Sequence, residues 1–470
     1  MLARISLCAT MVALFSSQAL LIMPGLSSAA EWFAAPSVRV ASQYDENIQL
    51  TIQPHKSTSG STVSPKLNLG VRSDIWELNG SAEYEHKKYS DAELDTNNQY
   101  FNLGSSYRTE RNTWQLSGSS VKSSVLANQK IYAGIDQYLD RVYQGVLSQY
   151  WGNLYSIPTP IAVNAQTHRN QELRSISPSW VWAMDERKQV QLSYQYSSTS
   201  YVNGSSVGLS DNSTRGVSAR LSNQLDATNQ VFFSAGYSVY RAPSVAHATE
   251  IDKRSIYLAE AIYPKLLASE SKSASYQVGI SHTFSETLSG GVSGGAWKTS
   301  AERSVQTCLQ PGSFDDYLLS VTPACLVAGD TVMQKSRTTS FIFSGNLEKN
   351  FESTRANASL SRTFNPSSAG DQAQTDTLNL AYSHIITEKL TGNYSVTASK
   401  YSSEVGGISG FNYNLYQISP RLDWRWTPEV LVNMAYGYAR TKRSWEPEPV
   451  ASNSIYISLT YQWPRFSFSR

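Results

Sequence analysis

Histidine is where a search for catalysis or metal binding begins, and no histidine here stands in a catalytic or metal-binding pattern. The chain has six: His55, His86, His168, His247, His282 and His384. No two have the spacing of metal ligands, and no serine nucleophile motif stands beside one. A triad assembles in space and not in sequence, so an embedded hydrolase stays the alternative. The pattern predicts no enzyme, no metal and no cofactor.

Two cysteines follow the first thirty residues, Cys308 and Cys325, and we expect both in one outer loop, residues 301–335. The N-terminal segment described below predicts export, and the export route is oxidising, so a disulfide is the expected state. Closing a loop of this length contributes about 3 kcal/mol by the chain-entropy estimate. Two free thiols or an intermolecular bridge are the alternatives.

Polar side chains recur at every second position over long stretches, and they would meet any solute that enters the fold. The candidates for this lumen-lining role are Lys66, Arg72, Glu77, Glu83, Glu85, Gln191, Gln195, Gln277, Arg355, Asn379, Asn393, Arg421, Asp423 and Arg425. Between them stand many neutral hydroxyls and amides, which can hydrogen-bond a hydrated polyol without requiring one sign of charge. Every water-filled barrel needs a polar interior, so this pattern favours a channel without selecting the solute.

The elements that carry these rows are long, two-faced β-strands. Between residues 61 and 88, Val63, Leu67 and Leu69 alternate with hydrophilic residues, and after a break at Ser73-Asp74 the alternation restarts from Trp76. Side chains on a strand alternate faces, so this is a hairpin with one apolar and one hydrophilic side. Strands of roughly a dozen residues are long enough to cross a bilayer when tilted.

The same pattern recurs to the C-terminus and predicts an all-β fold. We expect a single transmembrane antiparallel up-and-down β-barrel of about 18 strands (16–18), beginning near residues 37–44 and ending at residues 451–463. Short connections at Ser73, Glu110, Met184, Leu225, Ser285, Asn350, Thr387 and Thr427 alternate with mostly longer ones. Barrels of this class place short turns in the periplasm, so both termini are expected there.

The first thirty residues predict a signal peptide, with residues 31–470 forming the barrel. Arg4 is their only charge, a largely apolar run follows, and Ser28-Ala29-Ala30 offers a cleavage site. A retained anchor is the alternative. Without Arg4 the chain has 38 basic and 37 acidic residues, a balance that argues against nucleic acid as a partner. A signal peptide followed by a bilayer-spanning barrel indicates a Gram-negative outer membrane, and we expect the lipid of that membrane as a partner.

Three outer loops are expected to be long: residues 125–171, 241–270 and 301–335. Residues 131–151 carry apolar side chains at helical spacing, and residues 256–267 are a shorter helical candidate. Long loops without function are uncommon, so we expect these to fold over or into the barrel, with 131–151 narrowing its outer mouth. A surface loop without fixed structure is the alternative.

Several short motifs resemble a known group. They are Tyr44-Asp45-Glu46-Asn47-Ile48, Val63-Ser64-Pro65-Lys66-Leu67, Ser177-Pro178-Ser179-Trp180, Leu360-Ser361-Arg362 with Pro366-Ser367-Ser368-Ala369-Gly370, and Trp463-Pro464-Arg465. Together they look like the β-barrel porin type 2 family, which includes outer-membrane proteins encoded with exopolysaccharide-synthesis and exosortase-type genes. The resemblance implies a role in exporting or securing a secreted polysaccharide, with periplasmic export machinery as a partner. It transfers no functional residue.

Three functions remain open on these observations. The first is an outer-membrane channel for export of an exopolysaccharide, and the second is a general or substrate-specific diffusion porin. The third is a non-conducting structural or anchoring barrel whose loops bind a partner. Barrels of 16–18 strands usually leave an aqueous lumen, which favours the two channels. The oligomeric state does not follow from these patterns.

Overall fold

The computed structural model describes residues 30–48, 50, 55–124, 170–202, 211–243, 262–309, 327–366, 372–405, 408–444 and 447–469. Apart from one 3-10 turn at Ala92–Leu94, the regular elements within these ranges are strands. They are β1 Glu31–Asp45, β2 Thr58–Arg72, β3 Trp76–Tyr89, β4 Thr96–Arg108, β5 Asn112–Ser124, β6 Asn170–Ala183, β7 Lys188–Tyr201, β8 Asn212–Gln224, β9 Asn229–Ala242, β10 Ile262–Ser285, β11 Leu288–Leu309, β12 Val327–Asn350, β13 Thr354–Pro366, β14 Gln372–Thr387, β15 Leu390–Val405, β16 Ile408–Arg425, β17 Val430–Arg443, β18 Val450–Gln462 and β19 Phe466–Ser469.

The strands form one closed antiparallel sheet. Each pairs with its neighbours in sequence, and β1 closes the ring by pairing with β2 on one side and with β18 and β19 on the other. β19 continues the line of β18 after residues 463–465, since Glu31–Ala34 pairs with it while residues 37–45 pair with β18. Because β18 and β19 share one position in the ring, the barrel has 18 strands around its circumference, as predicted. Closure leaves no free edge around the ring, which is what lets a sheet cross a bilayer.

The two faces of the wall differ sharply in chemistry. One face exposes large apolar side chains on strand after strand, among them Leu103 on β4, Leu192 on β7, Val278 on β10 and Ile457 on β18. The other face carries Ser, Thr, Asn, Gln and charged side chains. In a closed barrel that must sit in lipid, the apolar face is the exterior and the polar face lines the interior. We call these two surfaces the exterior face and the interior face.

Tight turns join the strands at one end of the barrel, at all eight predicted places. A polar side chain at the start of a turn often accepts the backbone N–H groups beyond it. Asp226 Oδ1 accepts from Thr228 N and Asn229 N, each at 2.8 Å, and Thr387 Oγ1 accepts from Leu390 N at 3.1 Å. These turns are local devices, which explains why they can be read from the sequence.

Three neighbouring strands are much longer than the alternation predicts. β10, β11 and β12 have 24, 22 and 24 residues, so much of the expected loops 241–270 and 301–335 is strand. Residues 262–267 of the helical candidate 256–267 also belong to β10, opposite Val305–Leu309 of β11, so that helix prediction is wrong for them. Extended pairing gives both strands of a hairpin their backbone hydrogen bonds, which outweighs a weak local helical period.

The first strand is also longer than the expected residues 37–44, because it begins at Glu31. β12 pairs with β13 only between Phe343 and Asn350, and β10 pairs with β9 only from Ser269 to His282, so the outermost residues of β10–β12 continue as a three-stranded sheet.

Several expectations fall on residues outside the described ranges. They concern the signal peptide, the helical segment 131–151 and the outer part of loop 301–335, including Cys325. Cys308 lies on β11, with its backbone between Tyr263 and Ala328. Within the described ranges, no helix is long and apolar enough to cross a bilayer, a criterion that does not address strands.

Candidate functional site: the interior face of the barrel

The interior face is covered mainly by hydroxyl and amide groups that hydrogen-bond across neighbouring strands. The Oγ atoms of Ser119 and Ser175 lie 2.7 Å apart, and those of Ser293 and Ser344 lie 2.6 Å apart. Thr397 Oγ1 donates to Asn379 Oδ1 at 2.9 Å. Hydroxyl groups both donate and accept, so a side chain bonded to its neighbour keeps capacity for a solute. The surface can therefore bind polar, uncharged groups at many places along the wall.

The strand register places the predicted lumen-lining residues on this face. Lys66 stands opposite Glu83, Arg72 opposite Glu77, and Asn393 opposite Arg421. The same alternation puts the remaining candidates on the interior face: Glu85, Gln191, Gln195, Gln277, Arg355, Asn379, Asp423 and Arg425.

Most of the interior charge on β1–β3 lies in one cluster. Arg39 Nη2 is 3.2 Å from both Glu83 Oε1 and Glu85 Oε2, and Lys66 Nζ is 3.8 Å from Glu83 Oε2. Lys87 Nζ lies 2.9 Å from Glu85 Oε1. Three cations thus surround two carboxylates, leaving one net positive charge.

Glu85 is the centre of this cluster. Its side chain is 2% exposed, and Asn98 Nδ2 donates to its Oε1 at 2.7 Å. Burying a carboxylate this deeply is costly unless it is ion-paired and hydrogen-bonded, and Glu85 has both kinds of partner. Sequence reasoning missed Arg39 and Asn98. Arg39 stands between Val38 and Val40, and this alternation could have placed it on the polar face. The rest of the first strand was too weakly patterned to assign its faces.

A second charged group lies on β15 and β16. Arg421 Nε and Nη2 donate to the two oxygens of Asp423, each at 2.5 Å, and Asn393 Nδ2 donates to Asp423 at 2.7 Å. On β12 and β13, Arg355 Nη2 donates to Glu348 at 2.7 Å. In these ion pairs each cation is neutralised by an adjacent carboxylate. A neutral solute would therefore meet local dipoles and not an electrostatic field of one sign.

The described residues 46–48 and 50 of the first outer connection contact the outer end of the interior face. Asn47 N donates to Asp45 Oδ1 and to Ser452 Oγ, both at 3.1 Å, and Ser452 Oγ donates to Asp45 at 2.7 Å. Leu50 then packs against Ala439 and Val450, which both belong to the interior face.

Leu50 is held in an unusual backbone conformation, with φ of 48°, and Arg443 Nη1 donates to its carbonyl oxygen at 2.9 Å. A bulky residue with positive φ is strained unless its surroundings hold it. Here the packing of Leu50 and the hydrogen bond from Arg443 hold it. Ile48 packs with Leu94 of the next outer connection and with Tyr89 at the end of β3. Two outer connections are thus joined by an apolar contact.

The histidines within the described ranges lie outside these clusters. His282 and His384 occupy the exterior face, where His282 Nδ1 is 2.8 Å from Asn229 Oδ1 and His384 Nδ1 is 2.9 Å from Thr354 Oγ1. Among the residues that the structure describes, no group of three His, Cys, Asp or Glu side chains could hold a metal ion.

A closed antiparallel barrel with an apolar exterior and a polar interior defines the class: this is a transmembrane β-barrel of the outer-membrane type. No protein-family model and no curated protein sequence matches the chain.

The chain is similar to several solved structures at low identity. The chain is similar to OccK9 (OpdG) of Pseudomonas aeruginosa, with 8% identity, 92% of this chain and 98% of that chain covered and a TM-score of 0.43. It is similar to OpdK of Pseudomonas aeruginosa, solved with vanillate, with 9% identity, coverages of 93% and 99% and a TM-score of 0.43. It is also similar to a BenF-like porin of Pseudomonas fluorescens Pf-5, with 8% identity, coverages of 93% and 99% and a TM-score of 0.42.

Proposed function

We propose that this protein is an outer-membrane channel through which a secreted polysaccharide leaves the cell. The observation that carries the channel is the interior face, where hydroxyls and amides cover the wall and most charges are paired where they stand. A neutral or weakly charged sugar polymer can move along such a wall by exchanging hydrogen bonds, because no strong field of one sign holds it. The choice of a polysaccharide rests on the resemblance to the β-barrel porin type 2 family.

The strand number agrees with a conduit. Barrels of this size leave an aqueous lumen unless loops fill it. Here the first outer connection reaches over the interior face at Leu50, so we infer a narrowed entrance and not a uniformly wide tube.

Conductance measured with sugar polymers tests this proposal. Purified protein in planar bilayers should form single channels, and neutral or acidic polysaccharide fragments on one side should produce resolved blocking events. Channels that ignore every polymer would indicate a diffusion porin, which overturns the polysaccharide. Protein that inserts but does not conduct would indicate a structural barrel, which overturns the channel.

Two adjacent residues on β14 supply a matched pair of variants. Asn379 lies on the interior face and Leu378 on the exterior face. Asn379→Ala should change the lifetime of the polymer blocks, whereas Leu378→Ala should leave it unchanged. Equal effects of the two variants would count against polymer contact with this wall.

A further inference from the structure

The exterior face has a wide depression across β4–β10. Its volume is roughly 930 Å³, and small side chains form its floor, including Ala219, Ala235 and Ala274. Aromatic rings surround the floor: Tyr107, Trp114, Trp180, Tyr194, Tyr237 and Tyr276. These residues belong to the lipid-facing rows, so this is a groove in the outer wall and not part of the lumen.

Basic side chains stand directly above this groove, on the side of the long connections. The register sets Tyr194, Val217, Tyr237 and Ala274 side by side on β7–β10 as the upper part of the groove. Two residues further along the same strands, about 7 Å, come Arg215 and Lys272. Both side chains are exposed.

The next exterior positions continue the basic surface around the wall. Arg174, Arg241, Lys298, Lys335 and Arg337 occupy the outer ends of β6, β9, β11 and β12. The exterior carboxylates here are Glu172, Glu270 and Glu302. With Arg215 and Lys272 this makes seven cations and three carboxylates, a local excess of four positive charges.

Among the residues that the structure describes, the exterior carboxylates neutralise only part of this charge. Glu270 lies 2.8 Å from Arg241 and 3.2 Å from Lys272, so one carboxylate serves two cations. The Arg215 guanidinium carbon lies 5.6 Å from the Tyr196 ring centroid, a cation–π contact that leaves the positive charge in place.

We propose that this surface binds a phosphorylated, multiply acylated glycolipid of the outer leaflet. Its acyl chains lie in the groove over Ala219, Ala235 and Ala274, and its phosphates meet Arg215, Lys272 and Arg241. Guanidinium groups match phosphate oxygens with paired hydrogen bonds, and the local excess of four positive charges favours a lipid with several phosphates and a net negative charge over a zwitterionic one. The proposal rests on the outer-membrane placement within the proposed function, but not on transport of a polysaccharide.

Native mass spectrometry of the detergent-solubilised protein tests it, with bisphosphorylated lipid A, dephosphorylated lipid A and inorganic phosphate as probes. The wild type should retain the bisphosphorylated lipid most strongly and should not retain inorganic phosphate alone. In Arg215→Ala with Lys272→Ala, retention should fall by about thirtyfold, since each basic residue near an anionic headgroup contributes on the order of a fivefold factor.

Two further variants separate the headgroup from the chains. Ala235→Trp fills the groove and should weaken both lipids, whereas the double charge variant should leave dephosphorylated lipid A unchanged. Arg440→Ala with Lys442→Ala removes the same charge from exterior positions of β17, away from the groove, and should leave retention near the wild-type value.

Equal losses in the two double variants would overturn a site at the groove, as would equal retention of both lipids by the wild type. A dimer that Ala235→Trp dissociates, with no lipid retained, would assign the face to a second copy and also overturn the proposal. Single-channel conductance of the same variants separates the two proposals, because loss of lipid binding with intact polymer blocking overturns only the lipid site.

Discussion

Arg39 and Glu85 form an ion pair across three strands: the Arg39 guanidinium on β1 passes over Ser64 of β2 and lies 3.2 Å from Glu85 on β3. The two side chains are 14% and 2% exposed. The pair lies on the interior face, so it contributes both to the stability of the wall and to the charge that an ion meets.

Removing one partner should destabilise the barrel more than removing both. We expect Glu85→Gln and Arg39→Gln each to cost about 2 kcal/mol, the order of a hydrogen bond to a charged group, because the remaining charge loses one of its two ion-pair partners. Urea unfolding in detergent, arranged as a double-mutant cycle, measures the coupling. Strictly additive losses would show that the pair contributes no coupling energy.

The same cluster should set ion selectivity. Arg39→Ala turns the cluster from three cations and two carboxylates to two of each, so the reversal potential in a salt gradient should shift toward cation preference. Arg440→Ala, on the exterior face, removes the same charge and should not shift it. An equal shift in the two variants would contradict the assignment of the faces.

Charge should be tolerated on one face and not on the other. Leu67→Arg or Leu380→Arg places a cation in the lipid-facing row, where the cost is ~2–4 kcal/mol at mid-membrane. Lys66→Ala and Asn379→Ala, one position away, should be mild. The folded fraction after membrane assembly, read by heat-modified mobility in electrophoresis, checks this; four equal outcomes would contradict it.

The disulfide between Cys308 and Cys325 stays a prediction. Cys308 lies at the outer end of β11, far from the tight turns, so its bond would close the connection to β12. Peptide mapping without reductant should find the two cysteines linked. Cys308→Ser should loosen that connection while the barrel assembles, because the ring is held by its own hydrogen-bond ladder. Free thiols on both peptides would refute the link.

Asp226 should give one turn a pH dependence. Hydrogen bonds from the Asn229 side chain and from Thr228 hold the pKa of its carboxyl below the usual value of 3.8. A lowered pKa in the folded state adds stability above the unfolded value, and that stability disappears as the pH falls through the folded value. The urea midpoint of Asp226→Ala should therefore lie below the wild type at neutral pH, and the difference should begin to shrink as the pH falls below about 4, the ordinary pKa of the carboxyl. A gap that does not change with pH would contradict this.

What the sequence determined by itself is the part that depends on near neighbours. The alternation around Leu67 and Lys66 assigns each residue a face, because successive side chains on a strand point to opposite sides. Turns such as the one at Asp226 are set by side chains that bind the backbone two or three residues on. These local rules were enough to predict a barrel of about 18 strands and the positions of the eight short turns at one end of it.

The tertiary structure decided what depends on distant residues. Closure of β1 against both β18 and β19 and the reach of Arg39 to Glu85 bring together residues far apart in the chain. The length of β10–β12 follows from pairing in the hairpins, which no single segment reveals. The groove over Ala219 and Ala235 requires seven adjacent strands in one register. Local periodicity predicts the face of the sheet on which each side chain lies. Only the closed sheet determines which side chains from different strands share a surface.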